Sequence, residues 1–351
     1  MEEKVDNVIL EDIFYKIPEK RTKKSKQQRI PTQMQQNRNN HTTIRDVILL
    51  GFEGLHNIRF FIFFLLLVIY CVTICGNLLI IVLVYYSKVL QSPMYVFLTQ
   101  LSISDIMLTT DIVPNLLCVV LYENGTMSFE SCIFQLNFFI FSESSECFIL
   151  TVMSYDRYLA ICKPLNYMSI MKHTFCMKLA GISWLLSLYV MFISTMTTLS
   201  LDYCGPNIID HFFCDAAPLL KLSCSDTSKV EKTRMFLAIP MLFLPFIFIV
   251  VSYTYVIIAI MKIPSTTGKE KAFSTCSSHL TIVCIFYISL ISMYGLPTSE
   301  HSSTLSKILS ILYTVGTPLI NPIIYSLRNK DIKVSYDKLI KNFVNFHYLL
   351  N

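Results

Sequence analysis

A chain of 351 residues that is 53% hydrophobic, only 15% charged and formally +5 is not composed like a soluble protein, which carries nearer a quarter charged residues. With 9 glycines and no basic, aromatic-studded soluble domain, it reads neither as a low-complexity chain nor as a nucleic-acid binder. Its apolar residues cluster into runs long enough to cross a ~30 Å hydrocarbon layer, which takes about 20 residues, so the sequence specifies an integral membrane protein.

Residues 1–45 are polar and charged, include the basic run KRTKKSKQQR (20–29), and read as a disordered extracellular tail. No signal-peptide pattern precedes the first apolar run, which therefore serves as an uncleaved anchor. Seven apolar stretches follow, at 60–86, 93–121, 132–161, 176–199, 235–261, 272–295 and 305–326. They are continuous rather than alternating, which predicts helices and not a β-barrel. The connections after spans two, four and six carry Glu123, Glu130, Asp202, Asp210, Asp215 and Glu300. Those after spans one, three and five carry Lys88, Lys163, Lys172, Lys178, Lys262, Lys269 and Lys271, and the tail adds Arg328, Lys330, Lys333, Lys338 and Lys341. Positive charge marks the cytoplasmic side, so the N-terminus is outside, with Lys229, Lys232 and Arg234 as exceptions on the outer side. The chain thus divides into a tail (1–45), a membrane domain (46–328) and a cytoplasmic segment (329–351), with lipid as the first partner.

Of 12 cysteines, Cys71, Cys75, Cys118, Cys147 and Cys284 fall inside spans, where a small apolar side chain suffices as explanation. Cys132, Cys204, Cys214 and Cys224 lie on the oxidising outer side and are expected to pair, in any of three ways. Two outer sequons occur, Asn40-His-Thr42 and Asn124-Gly-Thr126, and Asn40 is the favoured glycosylation site because Asn124 sits close to the membrane.

Polar groups inside spans face a bundle interior or a cavity. Asn77, Asp105, Glu143, Glu146 and Asn321 are such groups. Interhelical hydrogen bonds suffice for Asn77 and Asn321. Glu143 and Glu146, spaced i, i+3, share one helix face, and together with Asp105 they require protonation, a cation or water. Asp156–Arg157 sits at the cytoplasmic end of span three, where the carboxylate can hold the guanidinium only from the side.

Six segments then carry a resemblance: GN (76–77), PMYVFLTQLSISD (93–105), MSYDRYLAICKPLNY (153–167), SY (252–253), KAFSTCSSHL (271–280) and PLINPIIYSLRN (318–329). From about residue 40 to about 335 the chain resembles an olfactory receptor of the tetrapod type, within the rhodopsin-like G-protein-coupled receptors. The resemblance implies an all-α bundle of seven transmembrane helices with a short amphipathic helix after span seven, and no enzymatic activity. It implies that Arg157 is the switch, restrained by Asp156 and flanked by Tyr158, with Tyr253 and Tyr325 supporting the active state and His279, the family's histidine in span six, grouped with them. It implies a mid-membrane network of Asn77, Asp105, Glu146 and Asn321 able to hold a sodium ion, with no other cofactor. The bridges implied are Cys132–Cys214 and Cys204–Cys224. The ligand, a small volatile odorant, would be lined by Phe139, Ile140, Glu143, Ser144, Leu237, Met241, Tyr287, Leu290, Tyr294 and Thr314. The implied partner is a stimulatory, olfactory-type G protein that raises cAMP at the plasma membrane, in olfactory cilia.

The chain departs from the family pattern in places. Residues 1–33 are an atypical extension, the ordinary N-terminus beginning at Met34. Val96 replaces an aromatic and Ile320 a leucine, Tyr287 stands where non-olfactory relatives have tryptophan, and Glu143 is uncommon in the pocket. The segment between spans five and six offers only Glu270 as a carboxylate, leaving Asp156 as the main restraint on Arg157. A transporter would show internal repeats and paired broken spans, and an intramembrane enzyme a metal or phosphate motif such as H-E-x-x-H; the sequence has neither.

Overall fold

The computed structural model describes residues 44–52, 57–294 and 303–350, with the backbone alone at 271, 275, 293, 294, 303, 327, 328, 330 and 342–350. The expectations for the 1–33 extension, for most of the tail, for Asn40 and for the side chain of Tyr294 lie outside the described residues.

Among the described residues six helices are long and apolar enough to cross a membrane: Arg59–Tyr86, Pro93–Tyr122, Phe129–Cys162, His173–Leu199, Ser228–Met261 and Thr304–Ser326. They are spans one to five and seven. Span six, Thr266–Tyr294, is bent by 42° between Ser274 and Cys276 and brings the number to seven. Span two starts with proline at its first position, where a missing N–H costs no hydrogen bond. Span three starts on Ser128, whose Oγ accepts the Ser131 N–H at 3.2 Å. Along its most apolar stretch span three is 61% buried, against 22% for spans one and five, so it runs through the centre of the bundle.

Two boundaries depart from the sequence reading. Span five begins at Ser228 instead of 235, so Lys229, Lys232 and Arg234 stand on its outer helical turns and not in a loop. The helix after span seven, Lys330–Leu350, has 21 residues and is not short. It is amphipathic in sequence, and a polar, lysine-rich face lowers the mean apolarity that identified the other helices.

Proline shapes the interior. Pro322 has no N–H to give the Pro318 carbonyl one turn earlier, and Asn77 of span one supplies that bond from Nδ2 at 3.2 Å. Gly76 lets the helices meet there, since a Cβ on it would stand 3.2 Å from the Pro322 ring. Pro245 likewise leaves the Met241 carbonyl without a helical donor, and the Cys147 thiol of span three fills the place at 2.8 Å. The outer halves of spans five and seven each contain a π-helical turn, Ile239–Phe243 and Leu312–Gly316. Such turns add a residue to the helix and re-aim its side chains, and they recur at functional sites.

Three short strands cap the outer end, which an all-helical reading did not foresee. β1 (Asp46–Leu50) lies between β2 (Asn124–Ser128) and β3 (Ile208–Ile209), antiparallel to the first and parallel to the second. Ile48 faces Thr126 on one side and Ile208 on the other. Disulfides join Cys132 to Cys214 (Cα–Cα 5.3 Å) and Cys204 to Cys224 (Cα–Cα 5.8 Å), so β3 is held to the top of span three. Glu123 ends span two in the left-handed region (φ 69°), and its carbonyl accepts the Gly51 N–H at 3.1 Å. A Cβ on Gly51 would lie 2.8 Å from that oxygen and 2.9 Å from Val119 Cγ1. Gly51→Val should therefore destabilise the cap by about 1–3 kcal/mol, read as a lower melting temperature of the detergent-solubilised receptor, while Gly181→Ala, with nothing within 4 Å of the added carbon, should not.

Candidate ligand pocket and cytoplasmic switch

The outer half of the bundle is lined by aromatic rings in a continuous chain. Phe139 of span three packs on Phe213 of the outer loop (centroids 5.3 Å apart) and on Tyr313 of span seven (6.2 Å). Tyr313 meets Phe286 at 6.0 Å, Phe286 meets Tyr287 at 5.3 Å, and Tyr287 meets Phe246 of span five at 4.8 Å. Of the residues expected to contact ligand, Phe139 and Tyr287 belong to this chain. Leu237, Leu290 and Glu143 are buried around it, and Ile140 and Met241 are half-buried. Ser144 and Thr314 are buried too, but each hydroxyl is spent on its own helix, on the Ile140 carbonyl at 2.6 Å and the Ser310 carbonyl at 2.8 Å.

Sequence reasoning missed Phe213, Phe286 and Tyr313, which look like ordinary core residues in uniformly apolar runs. It also took Cys147 for filler. Its Sγ bonds the Met241 carbonyl and lies 3.3 Å from Tyr287 Oη, joining spans three, five and six below the pocket. The available signal was Pro245, which strips a carbonyl of its partner in hydrocarbon.

At about the depth of this junction lies the polar network. Asn321 Nδ2 donates to both oxygens of Asp105, at 3.0 and 3.1 Å. Asn77 does not join them directly: it donates to the Thr73 carbonyl at 3.1 Å and to the Pro318 carbonyl. Glu146 is fully buried, feels the charges of Asp105 and Glu143, and its two oxygens have no hydrogen-bond partner among the described residues.

At the cytoplasmic end Arg157 donates from Nε to Asp156 Oδ2 at 3.0 Å and from Nη2 to the same oxygen. The other carboxylate oxygen accepts the Tyr167 hydroxyl at 2.8 Å, from the loop helix Pro164–Ile170. Burial pushes the Tyr167 phenol up from its usual range, and the Asp156 charge adds to this, so it stays a proton donor. Tyr253 of span five bonds His279 Nδ1 of span six at 2.6 Å. The Tyr325 hydroxyl is buried without a partner among the described residues, within electrostatic reach of Arg157. Tyr158 instead packs outward, against Tyr255 (6.1 Å) and under Lys163 Nζ (6.0 Å). The six expected switch residues thus fall into a clasp (Asp156, Arg157), a span five–six pair (Tyr253, His279), a waiting hydroxyl (Tyr325) and a peripheral ring (Tyr158).

At the mouth, His211 is buried between Phe212 and Phe213 (4.7 and 4.6 Å), with Nε2 3.3 Å from Ser310 Oγ of span seven.

A seven-span bundle with a chain of packed aromatic rings in its outer half and an arginine clasp at its inner end agrees with the resemblance to a transmembrane receptor. The family model described as "Olfactory receptor" matches residues 66–344. The chain is 43% identical to human "Olfactory receptor 11L1" over 302 residues, 86% of this chain and 94% of that one. It is 42% identical to human "Olfactory receptor 6C3" over 305 residues (87% and 98%) and 41% identical to rat "Olfactory receptor 1468" over 294 residues (84% and 94%). The chain belongs to the olfactory receptor family, multi-pass membrane proteins that are G-protein-coupled receptors and not enzymes.

Two predictions follow from this geometry. Tyr167→Phe removes one hydrogen bond to a charged group, about 1.5 kcal/mol at least, and should raise ligand-free G-protein activation up to roughly tenfold at matched surface level. Burial also lowers the His211 pKa from 6.5 to about 4, Lys307 adding to the shift and Asp215 and Asp210 opposing it. A buried neutral base resists protonation, so this contribution to loop packing is complete above about 6.5 and is lost as pH falls towards 4. Amide exchange over 208–214 should quicken across that window, and His211→Phe should flatten the response.

Proposed function

We propose that this receptor binds a small volatile odorant in the outer half of its bundle and activates a stimulatory, olfactory-type G protein, raising cAMP. One observation carries the reading: span three, 61% buried along its most apolar stretch, bears Phe139 of the aromatic chain, the Cys147 junction and the Asp156–Arg157 clasp on one continuous helix. An odorant that binds the active arrangement better than the resting one shifts the balance by that difference alone. In the active arrangement the cytoplasmic end of span six moves outward, the Asp156 clasp releases Arg157 towards the G protein, and Tyr253 and Tyr325 turn in to support it. Such a receptor works at the plasma membrane, in olfactory cilia, with Asn40 as its glycosylated residue.

The mid-membrane donor set fits a sodium ion. Two buried carboxylates, one with neither oxygen bonded among the described residues, are costly without a compensating charge. Asp105 and Glu146 would hold the ion, which supplies positive charge only; Asn321 keeps Asp105 oriented.

Screening an odorant panel in a cAMP reporter cell tests the function, with Arg157→Ala as the control expected to be silent at normal surface level. Ligand-dependent uptake without cAMP would instead make the protein a transporter. Glu143 lies one turn outward of Glu146, within the pocket, and is proposed to accept a hydrogen bond from a polar or amine-bearing odorant. Glu143→Gln should weaken alcohol and amine agonists by roughly ten- to a hundredfold, corresponding to about 1.5–3 kcal/mol, and leave apolar agonists unchanged. An equal shift for all agonists would make Glu143 structural.

A further inference from the structure

Lys307 is a lysine within span seven whose side chain is only 6% exposed. A buried ammonium must be paired, and this one is paired across the mouth of the bundle. It donates to the Gly51 carbonyl at the end of β1 at 2.8 Å and to Asp210 Oδ1, just after β3, at 2.5 Å. It also stands 5.9 Å from the centroid of Phe52, which stacks on Phe212. One side chain therefore ties the N-terminal strand, the outer loop and span seven together. Ser310, at i+3 on the same helix face, continues the contact line to His211. The loop residues that follow, Phe212 and Phe213, press into the bundle, and Phe213 rests on Phe139.

We propose that Lys307 is a positioning residue that seats the 208–214 segment as the roof of the ligand pocket and so sets how open the mouth is from outside. The inference rests on the pocket reading above for what the roof covers, but the roof itself follows from contacts alone. Asp210 is the releasable partner: its side chain is 54% exposed, so water can replace the lysine around it. The Gly51 carbonyl and the ammonium are the dry side of the same clasp, and losing the ammonium leaves the loop to the Cys132–Cys214 bridge, two strand residues, the hydrogen bonds of His211 to Ser310 and of Cys214 to Gln135, and ring packing.

The test needs no odorant. Ser310→Cys places a thiol at a position with no exposure, directly beneath His211. In cells expressing the full chain, a membrane-impermeant methanethiosulfonate is applied outside, and modification is followed against the unsubstituted chain, with surface level read from an N-terminal tag. With Lys307 intact the thiol should react slowly. Lys307→Met, which keeps the stem and removes the charge, and Asp210→Asn should each speed it by about tenfold or more, and Lys307→Arg should keep it slow. Equal rates in all variants, or a fast rate with Lys307 intact, would overturn the proposal. If Lys307→Met fails to reach the surface, Asp210→Asn, altered at a half-exposed side chain, decides the question. A receptor silent to every odorant would refute the functional reading while leaving these rates untouched.

Discussion

In hydrocarbon a backbone carbonyl that loses its helical donor has no water to turn to, and the missing bond costs several kcal/mol. This constraint organises the interior. Pro322 and Pro245 each strip a carbonyl, and each is answered by a side chain from a different helix: Asn77 to Pro318, and Cys147 to Met241. A defect in one span thereby becomes a tie between two. Span one is fastened to span seven and span three to span five at the depth where a straight helix would have nothing to offer a neighbour.

Span three carries the consequence furthest. Its polar residues run from Gln135, which bridges the Cys214 N–H (3.0 Å) and the Asp111 carbonyl (2.8 Å), through Glu143 and Glu146 to Asp156 and Arg157. A lipid-facing helix could not bear that load; a central one can, because other spans surround it and shield these groups from lipid. Ser104 and Ser145 add a 2.5 Å contact between spans two and three at mid-depth. The helix that senses the pocket is thus also the one whose inner end holds the arginine, and the proposed transmission needs no separate relay.

Much of this was legible beforehand. Uninterrupted apolar runs fixed the number of spans, lysine asymmetry their direction, and the i, i+3 spacing of Glu143 and Glu146 their shared inward face. Family resemblance, not periodicity, pointed to Tyr253 with His279 and to the cysteine pairs. Other features left no local trace. The π-turns at Ile239–Phe243 and Leu312–Gly316 lie in stretches so uniformly apolar that a one-residue slip changes no pattern. β1 is five residues of mostly apolar sequence whose pairing is decided by loops 74 or more positions away. Lys307 was passed over in the sequence, although a charge inside an apolar run points to function. Tyr167 stood inside a quoted motif, yet its bond to Asp156 depends on how the loop helix folds back.

The two ends of the molecule are held by different means, and this asymmetry bears on where it can move. Outside, span three is bound covalently through Cys132–Cys214, a three-stranded sheet joins the N-terminal strand to two loops, and Lys307 adds an ion pair. A native disulfide alone contributes about 2–5 kcal/mol. Inside, the clasp on Arg157 consists of hydrogen bonds to one carboxylate, backed by one tyrosine, each contributing about 1.5–3 kcal/mol at most. The segment joining spans five and six contributes no carboxylate but Glu270, and among the described residues Arg157 has no ion pair with span six. Breaking the inner clasp exchanges one set of polar contacts for another beside water, whereas separating the outer ends of the spans, beyond loosening the roof that Lys307 seats, would break a covalent link or a sheet. Binding energy of a few kcal/mol, the most a small volatile ligand can deliver differentially, is enough for the first and not for the second. Under the proposed function, a weak stimulus at the outer half of the bundle would therefore be answered by movement at the cytoplasmic face.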